Sequence, residues 1–175
     1  MVNEKWQEMK YSTEGVRRQD RLLGEEGAID LLKRGEYGVL SVSCPQNRVY
    51  GVPLNYVWDG KQSIYVHCAP EGRKLVCIDN DPRVSFCVVG RTRPIAEKFT
   101  TEYESIILDC RAERGLSADE RMHALQLLVE KYSPEFREKG QHYAEKSFAR
   151  TEIVRLTINS WSGKCKTMPQ NSTAQ

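Results

Sequence analysis

Apolar positions along the chain change period several times, and each change marks an element. In GEEGAIDLLKRG, Ala28, Leu31 and Leu32 recur at helical spacing on one face, and Gly35 stands where a helix C-terminal cap belongs. YGVLSVS reads as a strand built on Val39 and Leu40, and CPQNR after it has turn chemistry. VYGVPLNYVW is a second strand, whose Pro53 cannot donate to a ladder and so marks an edge, a bulge or a ligand-facing position. Asp59-Gly60 signals a hairpin, and SIYVHC returns as a third strand.

In the second half a loop with Pro70 and Gly72 leads into a short helix from Arg73 to about Asn80, ended by Asp81-Pro82. RVSFCVVG is a fourth strand and FTTEYESIILDCRAE holds a fifth. Ser117 and Glu120 form a capping box for a helix with Met122, Leu125, Leu128, Val129 and Tyr132 on one face. After a polar connection, TEIVRLTI alternates as a sixth strand, with Ile153, Arg155 and Thr157 on one side and Val154, Leu156 and Ile158 on the other. Five strands in hairpin order and one late returning strand predict a mainly β, closed or nearly closed antiparallel barrel with flanking helices.

Composition narrows this by exclusion. With 175 residues, 39% apolar and 29% charged, the chain is the size of one globular domain. Its division is a polar N-terminal arm (1–20), the barrel domain (21–166) and a flexible tail (167–175, TMPQNSTAQ). A net charge of +2 gives no mandate for nucleic acid or acidic membranes. No run approaches the roughly 18 apolar residues of a membrane helix, and the N-terminus lacks a signal-peptide core. The six cysteines include no C-x-x-C pair. Cys68, Cys77, Cys87 and Cys110 sit among apolar neighbours and read as reduced, buried thiols, which points to the cytoplasm.

Candidate chemistry gathers between His67 and Leu75, where a strand ends, a glycine loop follows and two cations open a helix. A helix start offers free N–H groups and partial positive charge to a phosphate. Arg73 would grip it with two guanidinium donors and Lys74 would add a point charge, although both would serve equally as solvated surface cations. Neither G-x-G-x-x-G nor G-x-x-x-x-G-K-[ST] occurs, which disfavours a dinucleotide fold or a P-loop. NSWSGKCK adds the aromatic face of Trp161 and the cation Lys164 after the last strand. Of the three histidines only His67 lies in a candidate site, and a metal centre on His67 and Cys68 is disfavoured because adjacent strand residues face opposite ways.

YGVPLNY, HCAPEGRKL, DPRV, FTTEYESI and the late S-G-K, in this order, resemble the pyridoxamine 5′-phosphate oxidase-like FMN-binding superfamily, closest to its nitroimidazole-resistance branch. The likeness runs from about Arg21 to Lys166. It implies an FMN-binding split β-barrel, a homodimer with flavin at the interface, and an oxidoreductase of small planar acceptors such as nitroaromatic compounds, fed by a nicotinamide or a protein donor. Carried over by position, Gly72, Arg73 and Lys74 hold the FMN phosphate, and Val52, Pro53, Leu54 and Asn55 lie along the flavin ring. His67 and Cys68 end the neighbouring strand, with His67 the candidate proton donor, and Trp161 and Lys164 belong to a C-terminal segment that reaches the flavin of its own or of the other subunit. The resemblance leaves open a flavin-binding module without turnover, or a split barrel using haem or a deazaflavin. The basic substrate-binding residues of pyridoxamine phosphate oxidases are not recognisable in SWSGKCKTMPQ, so vitamin B6 oxidation is not expected.

Overall fold

The computed structural model describes residues 9–168, which form eight strands and four α-helices. The strands are β1 (Lys10–Tyr11), β2 (Gly38–Cys44), β3 (Arg48–Leu54), β4 (Tyr56–Trp58), β5 (Ser63–Cys68), β6 (Arg83–Ile95), β7 (Thr100–Glu113) and β8 (Glu152–Lys166). The helices are α1 (Glu25–Arg34), α2 (Arg73–Asn80), α3 (Ala118–Tyr132) and α4 (Arg137–Ser147).

One sheet runs β3-β2-β6-β7-β8-β5-β4, antiparallel throughout, with β1 added in parallel beside β8. Its two outermost strands, β3 and β4, are consecutive in the chain and parted only by Asn55, so the sheet curls until its edges nearly meet. The expected barrel is therefore present, with eight strands where the pattern suggested about six. VYGVPLNYVW is two strands and not one, because the chain crosses from one sheet edge to the other at Asn55.

Alternation decides what lies inside. Leu40, Val42, Phe86, Val88, Ile106, Leu108, Leu156 and Ile158 point into the barrel. α1 adds Ala28, Leu31 and Leu32 at the end where β2 begins, and α2 adds Leu75, Cys77 and Ile78 where β2 finishes. Full burial of each such side chain stabilises by roughly 1.5–3 kcal/mol. A second core joins Tyr65 and Ile153, on the outer face of β5 and β8, to Ala124, Leu125, Leu128 and Ala144 of the α3–α4 pair.

Three local expectations are revised. Gly35 does follow α1, but at φ −58° it is no left-handed cap. Glycine fits there because a Cβ would meet Val88 Cγ1 at 2.6 Å and Tyr56 Oη at 2.7 Å. The Ser117 hydroxyl accepts from Glu120 N (3.2 Å), whereas the Glu120 carboxylate turns away to Tyr65 Oη (3.0 Å) and Arg155 (2.7 Å), leaving half a capping box. The polar connection before β8 contains α4, which buries only Ala144 and Ser147 and so leaves almost no apolar period to read.

Cys77 is not a reduced thiol. It forms a disulfide with Cys44, 33 residues earlier, which ties α2 to the end of β2. Nothing local marks this pair, since Cys44 belongs to a turn segment and Cys77 to a helix. Cys68, Cys87, Cys110 and Cys165 are free, and burial pushes the Cys110 thiol up to about 12. Residues 9–20 of the polar arm lie against the domain, with β1 on β8, Val16 buried and Tyr11 edge-on to Trp161 at 5.1 Å. Of the tail, Thr167 and Met168 are described, and 169–175 lie outside the described residues. No helix among the described residues is long and apolar enough to cross a membrane.

Candidate functional site

The site follows from the brevity of β4. Its pairing with β5 stops at Tyr56↔Val66, so His67 and Cys68 are held on one side only, by Ile153 and Glu152 of β8. Across the gap β3 is a sheet edge, paired with β2 alone. A slot therefore opens between two free strand edges, starting where Asn55 separates β3 from β4. Half-buried Tyr50, Val52, Leu54 and Cys68 rest on the core beside it. Pro53 sits opposite Val39 of β2 and points to the outer face, away from those residues. Asn55 is fixed by its Nδ2 donating to the Glu36 carbonyl at 2.9 Å.

The N-terminus of α2 lies at the far end of the slot. Its N-cap, Gly72, has φ +139°, a conformation that favours glycine, and open space where a Cβ would stand. No side chain caps the helix and no acidic residue occupies its first turn. The Arg73 guanidinium stacks on Tyr50 of β3, 4.3 Å from the ring centroid. Lys74 turns the other way, toward the end of β5, where its charge acts on both His67 and Cys68. The two cations thus bracket the slot end. Burial, then the Lys74 charge, lowers the His67 pKa below its ordinary value, so the imidazole is neutral at pH 7. Burial raises the Cys68 thiol against the opposing pull of Lys74.

Asn55, His67 and Cys68 also border a second space, a cavity of about 1090 Å³ between the end of β5 and the α3–α4 pair. Leu125, Leu128, Val129, Tyr132, Phe136 and Tyr143 give it apolar walls.

The sequence profile of pyridoxamine 5′-phosphate oxidase matches residues 25–165. The chain belongs to that family. Among solved structures it is similar to a 5-nitroimidazole antibiotic resistance protein from Bacteroides thetaiotaomicron, at TM-score 0.66 and 14% identity, covering 83% of this chain and 86% of that one. A conserved hypothetical protein from Mycobacterium tuberculosis gives TM-score 0.72 at 18% identity, over 90% of this chain and 98% of that one. An FAD and heme binding protein from Mycobacterium smegmatis gives 0.67 at 17%, over 85% and 75%. Among curated proteins none matches the sequence significantly. At these identities the neighbours establish the split-barrel fold, which the topology above shows independently.

Within this oxidase-family chain, Val52, Leu54, Asn55, His67, Cys68, Gly72, Arg73 and Lys74 lie along the free edges of β3 and β5 and at the start of α2. Trp161 does not join them. It is 2% exposed inside the barrel, paired with Leu108 of β7, because an irregularity near Ile158–Ser160 resets the alternation of β8 and turns its ring inward. Its Nε1 has no hydrogen-bond partner among the described residues. Lys164 lies on the outer face with Ile107, Asp109, Ser160 and Ser162, around a hollow of about 250 Å³, and does not meet the slot within one chain. Tyr50 was not anticipated. Its inward register beside Arg73 depends on how β3 pairs and on where α2 lands.

Proposed function

We propose that the chain binds FMN in this slot, as a homodimer, and reduces small planar electron acceptors, nitroaromatic compounds among them. The observation that carries the reading is the open start of α2. An uncapped helix N-terminus without a first-turn acid, bracketed by Arg73 and Lys74, is suited to one phosphate at the end of a slot lined by half-buried apolar residues. A single such phosphate site favours a mononucleotide over FAD.

FMN, when bound, supplies the electron transfer itself. The Arg73 and Lys74 donors hold the phosphate, and Leu54 and Val52 keep water from the ring. His67 stands where the slot meets the α3–α4 cavity and delivers a proton from an imidazole nitrogen to the reduced acceptor. Its lowered pKa makes that proton easier to give and the charged form scarcer at pH 7.

A dimer is supported by the outer sheet face. Pro53, Val39, Cys87 and Ile107 form a continuous row across β3, β2, β6 and β7, flanked by Val89. Ile107 is 48% and Val89 44% exposed, and no helix covers them. A second copy on this face would enclose Pro53 and Lys164, bringing both toward the flavin. A nicotinamide or protein donor goes with this reading, and so does the cytoplasmic setting expected from the four free cysteines, against which the Cys44–Cys77 disulfide counts.

The test is the cofactor and its chemistry. Denatured protein should release FMN rather than FAD or haem on chromatography, and the loaded dimer should reduce a nitroimidazole anaerobically with a nicotinamide donor. His67→Gln should lower turnover by roughly a hundredfold with little change in FMN affinity. Absence of flavin binding at micromolar concentration overturns the proposal.

A further inference from the structure

The cavity between β5 and the α3–α4 pair differs in charge from two other hollows of the described residues, one of which contains Asp109 and the other Glu97, Glu102 and Glu104. Lys139, Lys146 and Arg150 stand at the cavity rim and form no ion pair among the described residues. No Asp or Glu lines the space, and His67 and His142 are its other titratable groups besides tyrosine and Cys68. On α4 itself, Arg137 is neutralised by Glu130 of α3, and Glu145 engages Gln141 and lies 3.9 Å from His142, all without reaching the three rim cations.

The walls are equally one-sided. Phe136 is 60% and Tyr143 65% exposed, large aromatic surfaces held next to the buried Leu128 and Ala144. Desolvated apolar walls with a few polar groups at one end are the usual make-up of a small-molecule pocket. Here the lining holds three lysine and arginine side chains and no carboxylate.

We infer that this cavity binds an apolar organic anion, its aromatic or aliphatic body between α3 and α4 and its acidic group among Lys139, Lys146 and Arg150. That it is the molecule reduced rests on the flavin reading above, whereas its binding does not.

The probe is 8-anilinonaphthalene-1-sulfonate, with N-phenyl-1-naphthylamine as the same body without the acidic group, titrated by fluorescence into the full chain with and without FMN. The sulfonate should bind saturably at one site per chain, better than the neutral amine by about tenfold, and more weakly as salt rises. Combined Lys139→Gln, Lys146→Gln and Arg150→Gln, all at exposed positions, should cost the sulfonate about tenfold or more and leave the neutral amine unchanged. Equal sulfonate affinity in wild type and triple variant overturns the proposal, as does displacement of the sulfonate by FMN or its binding only on dilution to monomer. FMN binding without sulfonate binding refutes this inference and spares the flavin reading, and the converse result does the reverse.

Discussion

α2 and α3 are both amphipathic helices packed on the same barrel, yet they treat their polar groups in opposite ways. α3 is tied to the protein at both ends. Ser117 caps its start, Asp119 and Glu120 complement its dipole, Glu120 holds Tyr65 and Arg155, and at its end Tyr132 Oη accepts from Tyr56 N (3.0 Å) and donates to the Glu36 carbonyl (2.7 Å). α2 has no side-chain cap and no acid in its first turn, and its two cations have no carboxylate partner among the described residues. A helix whose termini are satisfied internally has no group left over, whereas one left electropositive at a slot can still meet an anion.

The largest effect should come from emptying the α2 end. Arg73→Ala combined with Lys74→Ala should weaken FMN binding by roughly a hundredfold or more, since each charge-assisted bond contributes about 1.5–3 kcal/mol. Ser117→Ala, at the corresponding end of α3, should leave FMN affinity alone and cost about 1 kcal/mol of stability. Flavin fluorescence titration and urea melts read both, and equal flavin affinity across the set would erase the contrast.

Next in size is the staple that positions the open helix. Closing a loop between residues 33 apart should make the Cys44–Cys77 disulfide worth roughly 2–4 kcal/mol. Cys77→Ser should lower the urea midpoint accordingly, and wild type with reductant should fall to the same value. Coincident midpoints for oxidised wild type and the variant would remove α2's anchor from the account.

The smallest effect concerns Lys131, on the otherwise satisfied α3. Its Nζ is buried without a hydrogen-bond partner, 3.8 Å from the Tyr56 ring centroid, and burial lowers its pKa from 10.5 to about 8. Below pH 8 the native state carries an ammonium that the unfolded chain solvates better, so the penalty is full there, shrinks as pH rises from 8 to 10.5 and vanishes above. Partial exposure and the ring contact limit it to the order of 1 kcal/mol. Lys131→Met should therefore be the more stable protein at pH 7, with the gap closing toward pH 10.5, as followed by urea melts across that range. A gap independent of pH would show that packing, not charge, is at issue.

Much of the barrel was legible because period-two alternation and turn residues act over a few positions. Asp59-Gly60 closes the β4–β5 hairpin with Gly60 at φ +79°, and Val154, Leu156 and Ile158 point inward as their spacing required. Helix α4 was missed for the opposite reason, its few buried residues leaving no stripe to detect. That Trp161 faces into the barrel was not legible, because one irregularity in β8 reverses which side faces in, and a bulge has no composition of its own.

By itself the sequence determined most of the strands, three of the four helices, the glycine loop and the two cations at the start of α2, all set by local backbone preference and charge. Only the tertiary structure decided the rest. It brought Cys44 to Cys77, set Arg73 on Tyr50, left His67 and Cys68 without a β4 partner, and gathered three unpaired cations at one cavity. Those are contacts between segments distant in the chain. Their formation depends on how the sheet curls and where its pairing stops, and no single stretch of residues encodes either.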